Sequence, residues 1–139
     1  LWVEEFGRGH TGTFGGSELG CAVASKVMEI VTRESTVKNV AFLTEYLKEG
    51  LDKVKNLYPD FFTSYTQRGI IFGLNFDYPD GGIAAMKSLC DNGIWAIYAR
   101  FDPHVVQFKP GLLCTKEYCD ELLEKFEKGV GEARRHCLG

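Results

Sequence analysis

The stretch Ile70-Ile71-Phe72-Gly73-Leu74-Asn75-Phe76-Asp77 decides the reading of the fold. Ile70, Phe72, Leu74 and Phe76 alternate with Ile71, Gly73, Asn75 and Asp77, the period of a strand with one face buried. Tyr78-Pro79-Asp80-Gly81-Gly82 follows at once, where Pro presets one dihedral of a turn and Gly permits the other. Beyond it Ile83, Met86, Leu89 and Cys90 space a short helix that stops at Asn92-Gly93. Two β-rich runs come next, Ile94 to Ala99 and Val105 to Phe108, separated by Arg100-Phe101-Asp102-Pro103.

Outward from this centre the period changes to that of helices. Toward the N-terminus, Val40, Leu43, Leu47, Leu51, Val54 and Tyr58 form one stripe that Pro59 ends, with Ser35 or Thr36 as its cap. Before it, Leu19, Ala22, Val23, Val27, Ile30 and Val31 describe another helix capped by Ser17. Toward the C-terminus, Pro110-Gly111 breaks the chain and Thr115 caps a last helix. Cys119, Leu122, Leu123, Phe126, Val130 and Ala133 form its buried side. Acidic residues crowd its start and Arg134, Arg135 and His136 its end, complementing the helix dipole. The expected fold class is α/β: a long helix plus helices packed on one or both faces of a small mixed β-sheet.

Composition narrows the function. The 139 residues suffice for one domain with a real core; 45% are hydrophobic and 25% charged, ordinary values for a globular protein. A net charge of −3 gives no electrostatic footprint for nucleic acid. No apolar run reaches membrane-spanning length, and the N-terminus lacks a signal-peptide pattern. The five cysteines, Cys21, Cys90, Cys114, Cys119 and Cys137, are odd in number and not densely paired. They read as reduced, mostly buried thiols of a cytoplasmic protein. The three histidines, His10, His104 and His136, lie far apart and show no metal-ligand spacing, so no metal is expected.

The segment richest in chemistry is Gly9-His10-Thr11-Gly12-Thr13-Phe14-Gly15-Gly16, directly ahead of the first helix. Glycines let the backbone turn sharply and approach a ligand, while a Thr hydroxyl and free amides can donate to a phosphate. On composition alone it is either a turn or a ligand loop, and it is neither the P-loop nor the dinucleotide fingerprint.

These residues carry a resemblance. His10 to Gly16, followed by Leu19-Gly20-Cys21-Ala22-Val23-Ala24, resembles the class III aminotransferase signature His-Gly-Ser-Thr-Phe-Gly-Gly-Asn-Pro-Leu-Ala-Cys-Ala. Arg68 to Leu74 resembles the family's Gly-x-Gly-Leu-Met-x-Gly strand. Val105 to Leu112 resembles its Ile-Arg-Phe-x-Pro-Pro-Leu strand, and Thr115 to Leu123 the acidic start of its final helix. Four segments in the right order cover nearly the whole chain.

The resemblance implies the C-terminal portion of a fold-type I enzyme that uses pyridoxal phosphate. Residues 1–16 would be the tail of the large cofactor-binding domain, and 17–139 a connecting helix and the C-terminal small domain. The full enzyme would be a homodimer acting on small amines and keto acids. Thr13, with the amide of Gly12 beside it, would hydrogen-bond the cofactor phosphate of the other subunit. The catalytic Lys would lie upstream, so no catalytic residue is assigned here and the chain alone should be inactive. An aminomutase or lyase on the same scaffold, or a stand-alone ligand-binding α/β module, are the alternatives.

Departures bear on substrate. Ser17-Glu18 replaces the family's Asn-Pro, Thr11 its Gly, and Pro110-Gly111 its Pro-Pro. Gln107 stands where family members acting on α-amino acids or ornithine-like substrates carry an Arg for a substrate carboxylate; an amide makes no charged bidentate pair, which counts against substrate classes that depend on that Arg. Gln107 is open to two readings, substrate-binding residue or polar residue of an edge strand. Arg100 is likewise either a substrate-side cation or a surface turn residue.

Overall fold

The computed structural model describes residues 12–139. In chain order they form α1 (Glu18–Val31), α2 (Glu34–Leu57), β1 (Phe62–Arg68), β2 (Ile71–Phe76), α3 (Gly81–Asp91), β3 (Ile97–Ala99), β4 (Asp102–Phe108) and α4 (Lys116–Leu138). They fall into two compact units, one ending at Val37 and the other spanning Lys38–Gly139.

In the first unit Ser17 caps α1, its Oγ accepting from the Gly20 amide at 3.2 Å. The apolar spacing of α1 is present, yet none of its residues is buried: Leu19, Val23 and Val27 all lie exposed. The expected cap of the second helix is corrected. That helix starts at Glu34, and Thr36, 5% exposed, donates its hydroxyl to the Ile30 carbonyl at 2.8 Å. Terminal carbonyls of a helix lack intrahelical partners, so the hydroxyl serves the end of α1 instead of the start of α2.

In the second unit the strands pair in the order β1-β2-β4-β3. All three pairings are antiparallel, which corrects the expected mixed sheet. Two hairpins impose the outer two pairings. Arg68 pairs with Ile71 across Gly69-Ile70, with Gly69 at φ +56, and Ala99 pairs with Asp102 across Arg100-Phe101. Tight turns of this kind join only antiparallel strands. The four-residue separator read from Arg100 to Pro103 is therefore two residues long. Pro103 lies within β4 but ahead of the β2–β4 ladder, which begins at Val105, so its missing N–H costs no pairing there.

The core gathers on one face of the sheet. Phe72, Leu74 and Phe76 of β2, Val106 and Phe108 of β4 and Phe62 of β1 face Leu43, Leu47, Leu51 and Val54 of α2, Ala85 and Leu89 of α3, and Phe126, Val130 and Ala133 of α4. Phe126 meets Phe62 edge-on at 5.9 Å and Phe108 at 5.5 Å between ring centroids. Each such fully buried large side chain is worth roughly 1.5–3 kcal/mol over its exposed state. Helix α3 opens with two buried glycines. A Cβ on Gly82 would lie 2.6 Å from the Pro103 carbonyl oxygen and 2.9 Å from the Val105 nitrogen, so the helix backbone rests directly on β4.

All five thiols are free, but the expectation that most are buried is corrected. Only Cys119 is buried, and burial pushes its thiol up to about 11. Cys90 points outward because Ala85 and Leu89 take the inward side of α3, and Cys21 sits on a helix that buries nothing. No described helix is long and apolar enough to cross a membrane.

Candidate functional site

The strand register builds a row across the uncovered face of the sheet. Thr66 pairs with Gly73, Gly73 with Gln107, and Gln107 with Ile97, so each strand contributes one residue. Gly73 has no side chain, which leaves a dip between Thr66 and Gln107. A Cβ there would meet Thr66 Oγ1 at 3.0 Å and Val105 Cγ1 at 3.6 Å. The dip belongs to a cleft of about 420 Å³ lined by Thr66, Gln67, Arg68, Ile71, Phe72, Gly73, Gln107 and Lys109.

Lys109 follows Gln107 by two residues, one position past the end of β4. Its Nζ donates to Gln107 Oε1 at 2.7 Å. With the amide oxygen engaged by an ammonium, the Nε2 hydrogens are the polar groups Gln107 presents outward. Arg68 lies on the same rim. The lining therefore holds two cations and no carboxylate.

The sequence reading singled out Gln107 but missed Lys109, Arg68 and Gly73, and its edge-strand alternative for Gln107 is corrected, because β4 is paired on both sides. Arg100 is not brought to them. It occupies the exposed tip of the β3–β4 hairpin, beside Phe101, which is 95% exposed. Five residue steps along the strand take the chain from Asp102 to Gln107, roughly 16 Å at about 3.3 Å per residue.

The other candidate lies in the first unit. Gly12 and Thr13 are both exposed in a turn closed by the Gly15 amide donating to the Gly12 carbonyl at 3.0 Å and the Ser17 amide to that of Phe14 at 3.2 Å. Gly16 takes φ +76, which a side chain would disfavour. An exposed hydroxyl and turn amides ahead of a helix start form a donor set that suits a phosphate, while exposed Glu18 in the first turn opposes it. His10 and Thr11 lie outside the described residues.

The remaining candidates are structural. His104 Nδ1 lies 3.2 Å from the Phe76 carbonyl oxygen, and His136 sits in the last turn of α4. Among the described residues no three His, Cys, Asp or Glu side chains are placed to share a metal ion.

Residues 3–130 match the family described as aminotransferase class-III. The chain belongs to the class III aminotransferases. An uncharacterized aminotransferase of Archaeoglobus fulgidus is 41% identical over 116 residues, covering 84% of this chain and 27% of that protein. The mitochondrial acetylornithine aminotransferase of Candida glabrata is 32% identical over 123 residues, covering 88% of this chain and 28% of its own length. The chain thus spans a little over a quarter of these class III relatives. Among solved structures, a transaminase from the marine bacterium Virgibacillus superposes with a TM-score of 0.79 at 21% identity, over 94% of this chain and 32% of that one. At such identity the likeness speaks for the fold. The cofactor of class III aminotransferases is pyridoxal phosphate, and a Toxoplasma gondii ornithine aminotransferase with this fold is described with that cofactor at its active site.

Proposed function

We propose that this chain is the C-terminal part of a pyridoxal-phosphate aminotransferase that moves an amino group between an amine or amino acid and a keto acid. The family match across residues 3–130 is the observation that carries this reading. Residues 1–16 end the cofactor-binding domain, and residues 17–139 supply the connecting helix and small domain. The parent is a homodimer, in which Thr13 and the Gly12 amide hold the cofactor phosphate of the opposite subunit. Exposed Thr13 needs no rearrangement to offer its hydroxyl.

Bound pyridoxal phosphate supplies the electron sink for breaking bonds at the amine carbon. This chain's share is to bind and orient. The uncovered sheet face presents Gln107 and its neighbours to the substrate, and the buried aromatic layer beneath keeps that face rigid. The lysine that holds the cofactor belongs to the rest of the parent, so the 139 residues alone are inactive.

The test is the visible absorption of the full-length protein supplied with pyridoxal phosphate. A band that bleaches when an amino donor is added, with amino product formed from a keto acid, is the expected result. A protein that takes up no cofactor, or turnover by the 139-residue chain alone, would sink the reading.

A further inference from the structure

We infer that Cys114 and Cys119 form a redox-active thiol pair, a modification site at the start of the last helix that a small disulfide converts to an internal Cys114–Cys119 bond. The pair uses neither Thr13 nor the sheet face, so it holds whatever the parent catalyses.

The register of the helix cap brings the two together. Thr115 is the N-cap of α4, its backbone extended at φ −90 and ψ 168 and its hydroxyl accepting from the Tyr118 amide at 3.3 Å. Cys114 is therefore the residue just before the cap, and Cys119 the fourth of the helix. Side chains at those two positions meet across the first turn, where apolar residues staple the entering chain to the helix. Here the staple is made of two thiols. Cys119 is fully buried in the core, and Cys114 packs half-buried against the same core. Burial pushes the Cys119 thiol up to about 11, and the Cys114 thiol beside it adds to the rise.

The backbone that carries Cys114 is pinned. Its amide donates to the Gly111 carbonyl at 3.2 Å, and Asn39 Nδ2 on α2 donates to the carbonyls of Leu112 at 2.9 Å and Cys114 at 3.1 Å. What separates the thiols from a bond is then side-chain rotation. Gly111 leaves room for it, since a Cβ there would stand only 3.5 Å from Cys114 Sγ.

Unequal burial sets the order of events. Cys114, the accessible member, attacks one sulfur of a small disulfide such as oxidised glutathione, and the first thiolate leaves. Cys119 then loses its proton and attacks the Cys114 sulfur, expelling the second thiolate. The two protein thiols give up two electrons and two protons, and the small disulfide ends as two thiols. Any two apolar side chains would serve as a staple for packing alone; two thiols add this reaction.

The test treats the reduced full-length holoenzyme with oxidised glutathione, alkylates the remaining thiols under denaturing conditions and digests with trypsin. Lys116 lies between the two cysteines, so cleavage after it puts them on separate peptides that only a Cys114–Cys119 bond holds together. The joined peptides should appear with oxidised glutathione and vanish on reduction with dithiothreitol. Cys119→Ala should stop at a glutathione adduct on Cys114, and Cys114→Ser should leave Cys119 unmodified. Phenylarsine oxide, which loses water as two neighbouring thiols replace its oxygen, is a second probe that needs no variant. It should shield both cysteines from alkylation. Peptides that never join, a lasting glutathione adduct on Cys114 beside a free Cys119, Cys119 joined to a different cysteine, or no protection by the arsenical would each overturn the pair.

Discussion

The hydroxyl of Tyr65 donates to Asp52 Oδ1 over 2.9 Å, fastening strand β1 to helix α2. Lys55 donates to the same oxygen at 3.0 Å and lies 5.3 Å from the Tyr65 ring centroid. The Lys55 hydrogen bond, helped by Tyr65, holds the Asp52 carboxyl below its ordinary value of 3.8. Burial, then the hydrogen bond to Asp52, pushes the Tyr65 hydroxyl up to about 12.

The pH dependence follows from those two directions. Tyr65 is favoured protonated in the fold, so its contribution is complete below the ordinary value of 10.0 and is lost as pH rises through about 12. Asp52 is favoured ionised, so its contribution is present above 3.8 and fades as pH falls below that. Tyr65→Phe should cost about 1 kcal/mol in urea unfolding at neutral pH. The variant should also lose less stability than the parent between pH 10 and 12; parallel alkaline curves would contradict the assignment.

Phe126 is fully buried against Phe62 and Phe108, where the last helix meets the sheet. Phe126→Ala leaves a cavity that no neighbour on a strand can fill, and should cost about 3–5 kcal/mol in denaturant unfolding. A loss under about 1 kcal/mol would mean that the core collapses onto the gap.

Gly73→Ala tests the dip itself. The new methyl meets the Thr66 hydroxyl at 3.0 Å, which can give way on the open face, and it removes the flexibility penalty of a mid-strand glycine. The melting temperature should hold or rise slightly, while KM of the full enzyme for its amino donor rises. Unchanged KM would move substrate away from this part of the sheet.

Thr13→Ala in the full-length protein should weaken pyridoxal phosphate binding by about 1–3 kcal/mol, the usual loss for a charge-assisted hydrogen bond. Equilibrium dialysis of the cofactor measures it. Unaltered affinity would take Thr13 out of the phosphate site.

Much of the fold was legible where the governing interaction is local. The alternation from Ile70 to Asp77 identified Phe72, Leu74 and Phe76 as inward, and Ser17 and Thr115 cap their helices as their chemistry demands. Reading failed where a distant partner decides. Thr36 serves a carbonyl of the preceding helix, and the apolar spacing of α1 says nothing about whether those residues are covered. Asp102-Pro103 has the look of a breaker, yet it enters β4 because the ladder demanding an N–H begins later. At the candidate site, Gln107 stood out by departing from a family pattern. Lys109 and Gly73 acquire meaning only from register and side-chain contact, neither of which is written in local spacing.

The contact at Gly82 has a mechanical consequence. Side chains can usually absorb a small displacement by changing rotamer, but here main chain abuts main chain at Pro103, His104 and Val105. Nothing between them can yield. Helix α3 and the β3–β4 hairpin are thus welded into one plate, and any bending of this domain has to find its hinge elsewhere.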